Sequence, residues 1–285
     1  METTSNTSIL LNQTNVLKGT ASLLPASKSI SNRALIISAL AKGSSALNNL
    51  SDANDTQLML RLINSPSPAI DIEDAGTTMR FLTAYFAITN QQKTLTGTSR
   101  MKERPIGILV DALRKLGASI EYLEKDGYPP IKINGFSKQQ LTELSIRGDI
   151  SSQFISSLMM VAPALPNGLT LHLTGKVGSR PYIEMTAAIM KHFGVSCVLS
   201  ADRIVIPHQT YTPADFTVES DWSGASYWFA LVALAKEAEI TLPRLFPHSL
   251  QGDSVIVSIM KKLGVCTEMK NDLLHLSKNH TASEI

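Results

Sequence analysis

Hydrophobic residues recur along the chain in two kinds of predicted helix. The first kind is apolar on nearly every side and follows a short run of small polar residues, as in residues 156–164 (SSLMMVAPA) and 226–235 (SYWFALVALA). Helices of that composition are predicted to be buried. The second kind carries a charged face, formed in its first copy by Asp111, Arg114 and Lys115, and is predicted to face solvent. The pattern therefore predicts inner helices wrapped by sheets and outer helices.

The two kinds of helix belong to an internal repeat. A glycine ends each charged helix, at Gly117, Gly194 and Gly264, where the left-handed conformation that terminates helices favours glycine. The repeat is a mixed helix and strand motif of about 70 to 80 residues, present roughly three and a half times. The alternative explanation is that any α+β protein contains helices that end at a glycine and are followed by a strand. The apolar copies lie within residues 27–50, 75–97, 150–175 and 221–243.

Small polar and basic residues open three of the apolar helices. A helix start offers unpaired N–H groups and the positive end of the helix dipole, so several starts that converge can hold an anion. Taken singly, each Ser or Thr is more often an N-cap than a ligand. Arg33 lies within an apolar helix, where its charge requires a protein or ligand partner. The three openings are Lys28-Ser29-x-Ser31-x-Arg33, residues 75–78 with Arg80, and residues 151–153.

Two basic loops occupy equivalent places in successive repeats. Residues 100–105 (RMKERP) follow the second predicted strand and lead to a helix predicted to begin near Pro105–Ile106. Residues 176–182 (KVGSRPY) occupy the same place one repeat later. A solvated loop is the ordinary explanation of such a charge run. The recurrence of Arg-Pro at both places instead favours a carboxylate or phosphate ligand.

Composition excludes several other classes of protein. The 285 residues are 44% hydrophobic with a net charge of +2, so no global field attracts nucleic acid or membrane. No apolar run is long enough for a membrane span, and the first residues lack a signal-peptide pattern. Two cysteines, Cys197 and Cys266, make neither a disulfide framework nor a metal-binding spacing. The sequence therefore predicts a cytoplasmic protein with reduced thiols and no metal site.

Six segments in order resemble the motifs of 5-enolpyruvylshikimate-3-phosphate (EPSP) synthases. Residues 25–36 (PASKSISNRALI) resemble the opening phosphate-binding motif, residues 74–81 (DAGTTMRF) the second helix start, and residues 100–118 (RMKERPIGILVDALRKLGA) the family signature. The runs DISSQFISSLMMVAP, KVGSRPYIEMT and DWSGASYWFALVAL also fit. The resemblance covers residues 17 to 264. It implies an α+β fold, an inside-out α/β barrel of repeated βαβαββ units, with one complete domain and part of a second.

The resemblance also implies an activity and its partners. Such enzymes transfer the enolpyruvyl group of phosphoenolpyruvate to the 5-hydroxyl of shikimate 3-phosphate and release phosphate, without a metal ion or organic cofactor. This is a step of aromatic amino acid biosynthesis. Lys28 is implied as the catalytic residue. The residues implied for shikimate 3-phosphate are Lys28, Ser29, Arg33, Ser151, Ser152, Gln153, Ser179 and Tyr182, and those for phosphoenolpyruvate are Lys28, Gly76, Arg104 and Gln153.

Applied to this chain, the family topology predicts a complete shikimate 3-phosphate-binding domain over residues 21–240. The partial domain comprises residues 1–20 and 241–285, with one of its three repeats. Family members are longer, and the segment with the proton-accepting aspartate and a Lys-Glu pair has no match here. The isolated chain is therefore expected to be inactive and to self-associate, although full-length members are usually monomeric. A non-catalytic ligand-binding remnant or a split-enzyme fragment is the alternative.

Two local features separate this chain from related patterns. Asp74 stands where many EPSP synthases have Asn, and its role beside Gly76 is open. The sister enzyme, which acts on UDP-N-acetylglucosamine, has a reactive Cys in the loop equivalent to residues 100–104, and this chain has none there. The sister activity is therefore a minor alternative.

Overall fold

The computed structural model describes residues 14–271 and 273–279. These residues form nine α-helices and fourteen strands. The helices are α1 Lys28–Leu40, α2 Asn54–Leu62, α3 Gly76–Ile88, α4 Ser99–Lys102, α5 Gly107–Leu116, α6 Ser152–Val161, α7 Arg180–His192, α8 Trp222–Leu234 and α9 Ile256–Lys261. The strands are β1 Val16–Thr20, β2 Leu47–Asn48, β3 Ala69–Asp71, β4 Lys93–Thr96, β5 Ala118–Tyr122, β6 Ile131–Phe136, β7 Glu143–Arg147, β8 Leu169–Thr174, β9 Val198–Leu199, β10 Arg203–Ile206, β11 Phe216–Thr217, β12 Glu237–Pro243, β13 Val265–Lys270 and β14 Leu273–Lys278.

The chain divides into two compact units. The first unit contains residues 14–24, Trp222–Pro247 and the described residues from Asp253 onwards, and the second contains Pro25–Asp221 and His248–Gly252. The division predicted from the sequence fell at residues 20 and 240, and residues 1–13 of that prediction lie outside the described part. The contacts place α8 in the first unit because its buried side chains pack in that unit's own core.

Three inner helices form the centre of the second unit. Every residue of α3 except Ile88 is buried, and α3 packs against both α1 and α6. The apolar composition of these helices leaves them no polar face to turn to water, so mutual burial is the stable arrangement. Their side chains belong to one continuous core that also takes the inner faces of two sheets. The inner helices predicted from residues 27–50, 75–97 and 150–175 are therefore confirmed.

Two sheets of the second unit have the same topology. One has the order β3-β4-β6-β5 and the other β7-β8-β10-β9. In each, a parallel pair of strands is extended by two antiparallel ones. A third, smaller sheet pairs β2 with β11 in parallel. These are open sheets, so the described residues form an α+β fold and no closed barrel of strands.

The outer helices end as the glycine pattern predicts. Gly117 is the C-cap of α5 with a φ of 117°, and Gly194 follows α7 with a φ of 83°. A β-carbon at residue 117 would lie 2.0 Å from the carbonyl oxygen of Lys138. Glycine is therefore required there both by the positive φ and by the lack of space for a side chain.

The first unit repeats the same sheet once. Its strand order is β1-β12-β14-β13, with β1 parallel to β12 and the next two pairs antiparallel. Helices α8 and α9 pack on this sheet. The core of the unit contains Trp222, Phe229 and Val232 from α8.

The prediction that α8 is buried is wrong for one of its faces. Tyr227, Leu231 and Leu234 are 75%, 47% and 85% exposed. Each inner helix of the second unit packs against two others, whereas α8 is the one helix of that kind among the described residues of the first unit. Its apolar composition is the same, but the neighbouring helices that would cover it are absent from that part of the chain.

Candidate functional site

The N-terminal ends of the inner helices of the second unit are linked by side-chain contacts. Gln153 at the start of α6 donates to the hydroxyl of Thr77 at the start of α3, at 3.0 Å. Thr78 donates to the backbone oxygen of Asp55 on α2, at 2.8 Å. Lys28 at the start of α1 lies 3.9 Å from the carboxylate of the same Asp55. The structure therefore brings the three predicted helix openings together.

The electrostatics of these helix starts favour an anion. The first turns of α1, α3 and α6 contain no acidic residue. Acidic residues are usually favourable there because they complement the positive end of the helix dipole. Helix α3 also lacks a side-chain cap, since its N-cap residue is Ala75. Uncapped N–H groups and uncompensated dipoles at one place are the features of an anion-binding site.

Arg33 is a buried cation on α1 and is 2% exposed. Its Nε donates to Thr186 Oγ1 at 2.8 Å, one Nη donates to Ser156 Oγ at 2.9 Å, and the other donates to the backbone oxygen of Ser29 at 2.9 Å. The guanidinium also lies over the rings of Phe81 and Tyr182. These contacts fix its orientation through three N–H donors and leave two of its five N–H groups for another acceptor.

No carboxylate pairs with Arg33 among the described residues. Burial lowers its pKa to about 10, with Tyr182 acting in the opposite direction. A buried charge without an opposite charge is costly, and a bound anion would remove that cost. The sequence predicts a protein or ligand partner for Arg33. The protein supplies neutral hydrogen-bond acceptors, but no negative charge among the described residues compensates the guanidinium.

Arg80 is a second buried cation of the same kind, 7% exposed on α3. It donates to the backbone oxygens of Gly76 and Pro105, at 2.8 and 3.4 Å, and lies over the ring of Phe154. Within the described part of the chain, its Nε has no hydrogen-bond partner. Burial and the positive charge of Arg104 lower its pKa to about 10. Arg80 and Arg104 therefore both lie near the start of α3, and neither forms an ion pair with a carboxylate among the described residues.

Gly76 and Arg104 are in direct contact. A β-carbon on residue 76 would lie 2.3 to 2.4 Å from the guanidinium of Arg104, closer than atoms can approach. One Nη of Arg104 donates to the backbone oxygen of Asp74 at 3.2 Å. The absence of a side chain at Gly76 is thus what lets this arginine lie against the first turn of α3.

The two basic loops differ in structure. Residues 99–102 form the short helix α4, which the sequence did not predict. The next helix begins at Gly107 with Ile106 as its N-cap, in agreement with the predicted start near Pro105–Ile106. In the other loop, Arg180 pairs with Glu184 at 3.0 Å, one turn along α7. Both Arg-Pro sequences lie at the start of an outer helix, but Arg180 has a carboxylate partner within its own helix, whereas Arg104 has none among the described residues.

The remaining predicted site residues occupy helix starts of the same unit. Ser151 is the N-cap of α6, and its side chain accepts from the backbone N–H of Gln153. Ser152 is buried in the first turn of that helix. Ser179 is the N-cap residue of α7, and its carbonyl accepts from the N–H of Tyr182. Ser27, rather than Ser29, caps α1.

Sequence reasoning missed Thr186, Ser156 and the burial of Arg80. Arg80 could have been found by the rule applied to Arg33, since it too interrupts an apolar helix. Thr186 offered no signal, because a threonine in the middle of an amphipathic helix is unremarkable and its partner is 153 residues away.

Among the described residues, no group of three or more His, Cys, Asp or Glu side chains could hold a metal ion. None of their helices combines the length and the apolar character needed to cross a membrane.

Fold and site together define a class of protein: an α+β protein of βαβαββ repeats, with a cationic face made from helix starts and buried arginines. The family model of EPSP synthase (3-phosphoshikimate 1-carboxyvinyltransferase) matches residues 11–65 and 60–284. The chain belongs to the EPSP synthase family.

Individual relatives agree with this assignment. The chain is 51% identical to the 3-phosphoshikimate 1-carboxyvinyltransferase of Bacteroides fragilis strain YCH46 over 278 residues, covering 96% of this chain and 67% of that protein. It is 41% identical to the enzyme of the same name from Vibrio vulnificus strain YJ016, covering 87% of this chain and 64% of that protein. The chain therefore spans about two thirds of the length of these relatives.

The fold has solved counterparts. The structure of EPSP synthase from Acinetobacter baumannii matches with a TM-score of 0.76 at 19% identity, over 92% of this chain and 64% of that one. This likeness supports the α+β fold of βαβαββ repeats.

Proposed function

We propose that the second unit binds shikimate 3-phosphate and phosphoenolpyruvate for transfer of the carboxyvinyl group between them. The observation that carries this proposal is the pair of buried arginines, Arg33 and Arg80, which have no carboxylate partner among the described residues. Both lie next to helix starts without acidic residues. Two strongly anionic substrates supply the missing negative charge, and the relatives named above act in such a transfer by name.

We assign shikimate 3-phosphate to the starts of α1, α6 and α7. Arg33 has two N–H groups left for phosphate oxygens, and Ser29, Ser151, Ser152 and Ser179 offer hydroxyls or main-chain N–H groups at helix starts. Tyr182 is partly exposed beside the guanidinium of Arg33, so its ring supplies a surface for the ligand's six-membered ring.

Phosphoenolpyruvate is assigned to the start of α3. Arg104 presents a planar fork of N–H donors beside Gly76, which suits a carboxylate or a phosphate. Gln153 lies against the start of the same helix through Thr77. Lys28 at the start of α1 is exposed and lies 3.9 Å from the carboxylate of Asp55, whose carbonyl accepts from Thr78 at the start of α3. The ammonium of Lys28 has three N–H donors, which suit a phosphate oxygen.

The reaction requires two anions to be held side by side. In carboxyvinyl transfer, the acceptor oxygen loses its proton and bonds to the carbon of phosphoenolpyruvate that carries the phosphate, while the methylene carbon gains a proton. The resulting methyl group then loses a proton, the carbon–oxygen bond to phosphate breaks, the double bond re-forms and phosphate leaves. Holding both reactants in place is worth about 7–11 kcal/mol of the barrier when orientation is ideal. Lys28, which we propose as the catalytic residue, and Arg104 stabilise negative charge on the departing phosphate and the carboxylate. No step assigned to these residues needs a metal or an organic cofactor.

Isothermal titration calorimetry of the whole chain tests this proposal. Shikimate 3-phosphate is expected to bind with an affinity that falls as salt is raised. Lys28→Ala is expected to weaken binding of both substrates. The matched control is Lys132→Ala, which removes the same charge from an exposed position on β6. Binding that is absent in the unmodified chain, or equally weakened by both substitutions, would overturn the assignment.

Turnover is measured separately from binding. We propose that the isolated chain catalyses negligible turnover. Steady-state phosphate release above about one percent of a full-length relative's rate would contradict this proposal. Co-expression with a chain covering the remaining third of a relative distinguishes a split enzyme from a ligand-binding remnant. Restored activity indicates the split enzyme.

A cytoplasmic location also belongs to the proposal. It is supported by the free cysteines Cys197 and Cys266, because unpaired thiols are usual in a reducing compartment.

A further inference from the structure

The turn before α3 and the loop that carries Arg104 are joined at several points. The main-chain N–H of Thr98 donates to the carbonyl of Glu73 at 3.2 Å, and Arg104 donates to the carbonyl of Asp74 at 3.2 Å. In addition, the hydroxyl of Thr98 donates to the carboxylate of Asp74. Asp74 therefore contacts both ends of the loop, through its side chain at one end and its carbonyl at the other.

We propose that Asp74 and Thr98 form a clip that positions Arg104 against the start of α3, and so sets the affinity of the site for phosphoenolpyruvate. Asp74 and Thr98 are positioning residues in this proposal and touch no substrate. The inference rests on the proposed function for the identity of the anion. The clip itself rests on the contacts of Asp74, Thr98 and the loop.

The geometry explains why one hydroxyl can hold the loop. The side-chain oxygen of Thr98 caps α4 by accepting from the N–H of Met101, while its proton is donated to Asp74. Helix α4 has four residues, too few to be stable alone. The main-chain N–H of Arg104 donates in turn to the carbonyl of Met101 at 3.0 Å. The backbone of Arg104 thus depends on α4, and α4 depends on the anchored Thr98.

The same geometry settles why a carboxylate is tolerated at residue 74. Its side chain accepts from Thr98 and makes no ion pair within the described residues. Arg104 reaches the main-chain carbonyl of Asp74 and not its carboxylate. The positive charge of Arg104 is therefore left for a ligand, because the carboxylate of Asp74 is bound to the hydroxyl of Thr98. An Asn side chain could accept the same hydrogen bond, which makes it the conservative replacement.

Four variants of the whole chain test the clip. Asp74→Ala and Thr98→Val remove one partner each, whereas Asp74→Asn and Thr98→Ser keep an acceptor or a hydroxyl. The first readout is the dissociation constant for phosphoenolpyruvate, with shikimate 3-phosphate as the internal comparison. The second is hydrogen exchange of the amides in residues 99–104 without ligand.

The disrupting variants are expected to weaken phosphoenolpyruvate binding on the order of tenfold, since a hydrogen bond to a charged group is lost. Shikimate 3-phosphate affinity is expected to stay within about twofold, and the exchange of residues 99–104 to accelerate. The conservative variants are expected to restore both readouts. Asp74→Asn behaving like Asp74→Ala overturns the clip, because charge and not the hydrogen bond would then matter.

The two proposals fail in different ways. If the unmodified chain binds neither substrate, the proposed function fails, and the exchange rates in residues 99–104 still decide whether the clip exists. If both substrates bind and the disrupting variants change neither affinity nor exchange, the clip is wrong and the proposed function stands.

Discussion

The Nε of Arg33 lies 2.8 Å from the hydroxyl oxygen of Thr186, which joins α1 to α7 across 153 residues of sequence. Thr186 donates its own proton to the carbonyl of Tyr182 at 2.7 Å, so its oxygen is an acceptor toward Arg33. The hydroxyl of Ser156 completes the group, 2.9 Å from Thr186 and from Arg33. One threonine thus couples the buried guanidinium to the first turn of α7.

Thr186→Val is expected to lower the free energy of unfolding. The substitution keeps the shape but leaves the Nε–H of buried Arg33 without an acceptor, which costs about 1–3 kcal/mol. Urea denaturation followed by circular dichroism measures the change. Thr186→Ser retains the hydroxyl and is expected to lose clearly less stability. Equal loss in Val and Ser variants would show that the methyl group, and not the hydrogen bond, is what matters.

Gly76→Ala is expected to weaken phosphoenolpyruvate binding while leaving stability nearly unchanged. Alanine is a better helix former than glycine, so the first turn of α3 accepts it. Its β-carbon would occupy the present position of the Arg104 guanidinium, which must move. Titration calorimetry and thermal unfolding of the same variant separate the two effects.

Gly178→Ala is the matched control for that substitution. Gly178 lies in the same unit, and a β-carbon there would meet no atom of the described residues within 4 Å. Its binding of phosphoenolpyruvate is expected to equal that of the unmodified chain. Unaltered binding by Gly76→Ala would contradict the placement of Arg104 in the site.

Affinity for shikimate 3-phosphate is expected to fall as pH rises above about 10. Burial lowers the pKa of Arg33 to about 10, and burial together with the charge of Arg104 lowers the pKa of Arg80 to about 10, so both are protonated below that pH and lose their charge above it. A phosphate monoester is already fully ionised in this range, so the ligand does not change. Calorimetry between pH 8 and about 10.5, with circular dichroism to verify folding, gives the profile.

The sign of the accompanying proton transfer provides a second check. A bound anion favours the charged guanidinium, so binding near pH 10 is expected to take up protons. Without ligand, the penalty for burying the charge is complete below about pH 10 and is relieved as pH rises above it, because the folded state releases these protons before the unfolded state does. Proton release near pH 10 would contradict the assignment of Arg33 and Arg80.

Local signals in the sequence predicted most of the second unit. Periodicity and composition located α1, α3 and α6, and the turn glycines Gly117 and Gly194 located the ends of two outer helices. Those features depend on residues near one another in the chain. The hydrogen bonds of Arg33, the contact of Gly76 with Arg104 and the contacts of Asp74 depend on residues brought together by folding. A partner for Arg33 could be expected from a charge in an apolar helix, but the partner residues could not be named, and the role of Asp74 was open.

The exposure of α8 shows the limit of the same reasoning. Its sequence is as apolar as that of the buried helices, and composition alone predicted burial. Tyr227, Leu231 and Leu234 lie at spacings of four and three residues, which places them along one exposed face. Val255 and Ile259, near and on α9, are also exposed in the same unit. Burial of a helix requires both an apolar face and a neighbouring element that covers it. The sequence of α8 supplies the apolar face but does not determine whether a neighbour covers it.

Polar substitution on that face is expected to reduce self-association of the chain. Leu231→Gln combined with Leu234→Lys removes two large exposed side chains without touching Phe229 or Val232, which pack in the core. Contiguous exposed apolar surface promotes association, so sedimentation should show a lower average mass for the variant. Val198→Lys, at an exposed site on β9 of the second unit, controls for added charge and hydrophilicity. A monomeric unmodified chain, or an equal effect from the control, would show that the α8 face drives no association.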